Sequence, residues 1–211
     1  YKRKGFTLVE LVLVISVGLT ISFLSFQQML QKQEDVLASG AGQQIKQIGD
    51  SLNSYIAVHY DKLSSLTNAD GSSSDPGPRT CLPAGNCTIS VQTLINEGLL
   101  PATYSGKNVF GSDYSLIIKR SGSAPYYNVT GMVTTNQPWI GQNNAIRYDL
   151  LGKAMQEAGV DSGMTKDTAT RVNGFKGAWE QNATDYSNIN KLGQLAYQAG
   201  YGSYSYSIYL R

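Results

Sequence analysis

One carboxylate stands inside an apolar run. Between residues 6 and 26 the chain carries apolar side chains, small hydroxyls, Gly18 and a single charge, Glu10. Holding a carboxylate in an apolar helix costs about 3 kcal/mol on insertion scales, so an acid in this position is a functional candidate by default. The bland alternative is that Glu10 snorkels to a nearby interface. The two cysteines, Cys81 and Cys87, enclose Leu82-Pro83-Ala84-Gly85-Asn86, a turn-forming stretch that lets the sulfurs close a small loop. Two buried free thiols are the alternative, disfavoured by such polar neighbours, and a disulfide implies an oxidising, extracytoplasmic setting. His59 is the single histidine and supplies neither a metal-ligand set nor a triad, so it reads as packing. Glu97, Glu157 and Glu180 are spread over separate elements and read as surface charges. With no phosphate loop, metal-ligand spacing or nucleophile elbow, no catalytic residue, metal or cofactor is expected.

The elements that must carry these residues follow from periodicity. Apolar residues recur at three- and four-residue steps through Leu37, Ala41, Ile45, Ile48, Leu52, Tyr55, Ile56, Leu63 and Leu66, which extends the first helix in amphipathic form. Gly40-Ala41-Gly42 interrupts that run and reads as a hinge or break. Residues 68–80 are a loop rich in Gly, Ser, Asp and Pro, and residues 91–97 a short helix ended by Gly98 and Pro101. Residues 115–119 and 126–133 make an antiparallel hairpin, residues 144–158 a helix, and residues 204–210 alternate as a strand. Leu150, Leu151, Ala154, Met155 and Ala158 form the buried face of that later helix. The sum is an α+β fold with a long helix on a small antiparallel sheet. Tyr197, Tyr201, Tyr204, Tyr206 and Tyr209 offer a stacking face, with cross-strand packing the preferred reading. Trp139 and Trp179 read as core or interface anchors.

A net charge of +2, with no long charged run, argues against nucleic acid as the main partner. Lys2, Arg3 and Lys4 precede the apolar run, which is long enough to cross a membrane as a helix. The positive-inside rule then leaves the start in the cytoplasm and sends the rest outward. A cleaved secretory signal has a shorter apolar region, and a plain anchor gives no reason for Glu10.

Lys-Arg-Lys-Gly followed by Phe-Thr-Leu-Val-Glu-Leu resembles the signal of type IV prepilins and pseudopilins. The resemblance implies cleavage by a prepilin peptidase between Gly5 and Phe6, methylation of the new amine on Phe6, and a filament contact between that amine and Glu10 of a neighbouring subunit. It divides the chain into a leader (1–5), the pilin helix (6–66, membrane-spanning over 6–26) and a globular head (67–211). The helix ending in Gly-Leu-Leu-Pro, then Asn-x-Phe-Gly-x-x-Tyr before a strand, is shared widely by pilins. Gly174-Phe175-Lys176-Gly177-Ala178-Trp179-Glu180 and Leu192-Gly193-Gln194-Leu195-Ala196 are similar to the constant amino-terminal region of PilV-type minor pilins of conjugative type IVb pili. That implies a subunit that initiates or caps a pilus and supports recipient-cell contact or adhesion. Its partners would be other pilin subunits, the inner-membrane assembly platform and a recipient-cell surface receptor. In PilV-type proteins further sequence follows this region, so a continuation beyond Arg211 is expected. A type II secretion pseudopilin and a membrane-anchored periplasmic binding module are the alternatives. The bacterial setting makes the glycosylation triplets at Asn86, Asn128 and Asn182 incidental.

Overall fold

A computed structural model describes residues 7–141 and 143–201. The expected processing pair Gly5 and Phe6 and the expected strand at 204–210 lie outside the described residues. In chain order the helices are α1 (Leu8–Val58), α2 (Tyr60–Ser64), α3 (Val91–Asn96) and α4 (Tyr148–Ala158). The strands are β1 (Arg79–Cys81), β2 (Asn86–Ile89), β3 (Tyr114–Ser123), β4 (Tyr126–Thr135), β5 (Ser162–Met164), β6 (Arg171–Gly174), β7 (Glu180–Asn182) and β8 (Leu195–Tyr201). The described residues fall into two compact units divided between Leu37 and Ala38.

The first unit is the amino-terminal part of α1. Every residue from 7 to 33 is exposed, including Leu8, Leu13, Leu19, Phe23 and Phe26. This helix is long and apolar enough to cross a membrane, by length and composition. Its hydroxyls close on their own backbone, Ser16 donating to the Val12 carbonyl at 2.8 Å and Thr20 to the Ser16 carbonyl at 2.9 Å. The apolar surface therefore carries few unmet polar groups.

The second unit is an α+β head. Its sheet is antiparallel throughout, in the order β1-β2-β3-β4-β8-β5-β6-β7. Strand alternation sends Leu116, Ile118, Val129, Val133, Leu195 and Tyr197 to one face, where they meet Ile45, Ile48, Leu52 and Ile56 of α1 and Leu151 and Ala154 of α4. Ile117, Met132, Val172 and Ala196 face the other way, under Tyr186 and Ile189. The expected hairpin is β3–β4, in register from Tyr114↔Thr135 to Ser123↔Tyr126. α3 begins at a Ser90 capping box and stops at Gly98, whose φ of 71° suits a residue without Cβ. The buried face of α4 is Leu150, Leu151, Ala154, Met155 and Ala158, as its spacing predicts, although the helix starts at Tyr148 and not at residue 144.

One expectation about the helices needs correction. α1 is not broken at residues 40–42; the chain stays helical through them and breaks at His59, where φ is −104° and ψ 21°. Gly42 instead permits close approach: a Cβ there would lie 2.3 Å from the carbonyl oxygen of Ala154. The Gly174–Trp179 motif also has a packing explanation. Gly163 and Gly174 are cross-strand partners on β5 and β6, and an added Cβ on either would come within 2.9 Å of the Trp179 indole. The two glycines form a flat floor for that ring, and its Nε1 donates to the Val160 carbonyl at 2.9 Å.

Candidate functional site

Glu10 sits in the first turn of α1. The Thr7 backbone N–H donates to its Oε2 at 2.9 Å, and its own N–H donates to Thr7 Oγ1 at 3.3 Å. This reciprocal pair is a capping box, which satisfies donors that the start of a helix leaves without partners. The negative charge also lies at the positive end of the helix dipole. Glu10 therefore has a local structural role, and Thr-x-x-Glu is a sequence signal that reports it.

Cys81 and Cys87 form a disulfide across the β1–β2 hairpin, where they are directly paired with Cα atoms 3.9 Å apart. The remaining expected features are structural. Trp139 is buried and stacks on Phe110 at 4.1 Å, and Tyr197 is buried against Gly49 of α1. Glu157 accepts from Gln43 Nε2 at 2.8 Å on the surface, and Glu180 faces Arg171 at 3.5 Å.

A second constellation lies beneath the end of α1, and it corrects the reading of Glu97 as a surface charge. His59 at the α1–α2 break, Asp75 in the loop before β1 and Glu97 at the end of α3 are brought together with side-chain exposures of 4%, 0% and 10%. His59 Nε2 is 3.1 Å from Glu97 Oε2, and Nδ1 is 3.8 Å from Asp75 Oδ1. The imidazole also packs on Tyr55, ring centroids 4.7 Å apart, so the expected packing role accounts for part of its surroundings.

Asp75 is the hub. Arg79, also fully buried, donates Nη1 to Oδ1 at 3.2 Å and Nη2 to Oδ2 at 2.8 Å, while Lys62 Nζ donates to Oδ2 at 2.8 Å. Arg79 further donates to the Tyr55 hydroxyl at 2.6 Å and to the Thr67 carbonyl at 2.9 Å. Burial alone would raise the Asp75 carboxyl, but the hydrogen bonds from Lys62 and Arg79 outweigh it and hold the group below the usual carboxylate range. The same bond to Asp75 raises Lys62. These charges are pinned, so the cluster ties the end of the helix, the loop and α3 into one unit. Among the described residues, His59, Asp75 and Glu97 are the group that brings metal-ligand atom types together. No family model, curated protein or solved structure matches this chain.

Proposed function

We propose that this chain is a membrane-anchored subunit of a type IV pilus, a minor pilin of PilV type. The supporting observation is the composition of α1 itself. One continuous helix carries an exposed apolar segment, headed by a carboxylate, into a segment whose Ala41, Ile45, Ile48 and Leu52 are buried in an α+β head. A plain anchor needs no such continuity, whereas a filament subunit uses its apolar helix as an assembly element and its head as the outer surface. The disulfide supports an extracytoplasmic head. In this reading prepilin peptidase cuts between Gly5 and Phe6, the start of the chain is cytoplasmic before processing, and the head is periplasmic until assembly. Glu10 receives the amine of Phe6 from a neighbouring subunit, and the assembled subunit initiates or caps the filament and supports recipient-cell contact or adhesion.

The capping box makes the test sharper. Gln at the third helical position supports a capping box as Glu does. Glu10→Gln therefore keeps the local cap and removes only the charge. The expected result is normal processing and membrane level for Glu10→Gln, with loss from the sheared pilus fraction. Gly5→Val should leave the leader attached, read by mass spectrometry of the amino terminus. Glu10→Gln incorporated as efficiently as the native chain would remove the charge contact. Full function of an uncleaved Gly5→Val chain would point instead to a membrane-anchored binding module.

A further inference from the structure

The His59 cluster has a property that an ion-pair network alone does not explain. Asp75 is saturated on one side by Arg79 and Lys62, yet among the described residues the buried Nε2 of His59 finds no hydrogen-bond partner, although a carboxylate oxygen lies 3.1 Å away. A buried polar nitrogen without a partner is costly, and native structures keep few of them. We propose that His59, Glu97 and Asp75, through one imidazole nitrogen and one oxygen of each carboxylate, bind a divalent first-row cation of the zinc type, which clips the end of α1 to the loop before β1 and to α3.

The geometry suits such an ion. Metal–nitrogen and metal–oxygen bonds of about 2.1 Å in a tetrahedral site place donor atoms roughly 3.4 Å apart. Nε2 and Oε2 are 3.1 Å apart, and one donor atom from each of the three residues lies within 4.8 Å of the others. Asp75 retains capacity for the third bond. Its Oδ2 accepts from both Arg79 Nη2 and Lys62 Nζ, whereas among the described residues Oδ1 accepts the longer Arg79 Nη1 bond alone and keeps a second lone pair. Arg79 then orients a ligand carboxylate from the outer shell, a recurrent feature of metal sites. Charge is accommodated through Lys62, which is one-third exposed and already lies 3.4 Å from Asp70; it can leave Asp75 for that carboxylate when the ion enters. One imidazole and two carboxylates favour zinc-type ions over calcium or magnesium, which take six or more oxygens or keep several waters. Glu97, the most exposed of the three at 10%, marks the side from which an ion would enter.

The test uses the full chain in detergent, stripped with chelator, dialysed and titrated with zinc chloride. One zinc per chain is expected, with a rise in the melting temperature of roughly 5–10 °C when free zinc exceeds Kd a hundredfold. Glu97→Gln preserves shape at a partly accessible position and should weaken binding by about tenfold or more. His59→Gln removes the chain's single imidazole and should abolish the visible absorption of a cobalt(II)-loaded sample. Glu157→Gln, on the surface, should change neither. No shift with zinc up to about 1 mM would overturn the proposal. So would zinc bound equally by the native chain and by folded Glu97→Gln and His59→Gln. The outcome is independent of whether the chain assembles into a pilus.

Discussion

Gly40 and Gly42 separate two ideas about α1 with a single pair of substitutions. In an exposed helix interior, Gly→Ala stabilises by about 0.8–1 kcal/mol because alanine loses less backbone freedom on folding. At Gly40 an added Cβ meets nothing within 4 Å, so Gly40→Ala should show that gain undiminished. At Gly42 the Cβ falls 2.3 Å from the Ala154 carbonyl oxygen and 3.0 Å from its carbon and Cα, all backbone of α4. Accommodating it requires α1 and α4 to separate, and overpacking of this kind costs about 1–3 kcal/mol. The propensity gain is common to both variants and cancels in their difference. Gly42→Ala should therefore be less stable than Gly40→Ala by about 1–3 kcal/mol. Urea unfolding of the detergent-solubilised chain, followed by fluorescence of Trp139 and Trp179 in the head, measures that difference. Two variants within about 0.5 kcal/mol of each other would show that the close approach of α1 to α4 does not constrain the helix.

Two further substitutions test the head. Asp75→Asn leaves the Arg79 guanidinium buried without its carboxylate, which should cost about 3–5 kcal/mol and lower the melting temperature by about 6–20 °C, measured in chelator. Asp75→Asn with Arg79→Met should recover much of that loss; a single-variant loss below about 1 kcal/mol would refute the buried-pair account. Because the folded Asp75 carboxyl lies below its unfolded value of about 3.9, its contribution is present above that value and is lost as pH falls through the folded one. The native and Asp75→Asn stabilities should therefore run parallel from neutrality to about pH 5 and converge only in stronger acid. Gly174→Ala drives a Cβ to 2.7 Å from the Trp179 indole and should cost about 1–3 kcal/mol, with the Trp179 emission shifted to the red as the ring leaves its glycine floor.

What the sequence discloses depends on whether the physics is local. The buried face of α4, the Ser90 cap of α3 and the β3–β4 hairpin follow from spacing and turn chemistry, which act over a few residues. β5 and β6 are short and glycine-bearing, Ser-Gly-Met and Arg-Val-Asn-Gly, and their glycines serve a tryptophan elsewhere in the chain. β8 is buried on both faces, so Leu195, Ala196, Tyr197 and Ala199 show no apolar–polar alternation to mark a strand. The His59 cluster is hidden for the same reason. Asp75 sits among Ser, Gly and Pro as a turn residue would, and only the packing of three segments shows that it is fully buried and tethered to Arg79.

In the proposed pilin reading, Glu10 would combine a local and a non-local role in one side chain. A capping box uses one carboxylate oxygen, and here the Thr7 N–H takes Oε2. An ionised carboxylate can accept through both oxygens. The cap and an incoming cationic amine are thus not exclusive claims on the residue. The cap reduces the cost of carrying the charge at the head of an apolar helix before any neighbouring subunit arrives, because the charge already has a donor and a favourable dipole. Under the proposed function, a residue stabilised in this way would wait in the membrane for an assembly partner, and Glu10→Gln is the substitution that separates the waiting from the pairing.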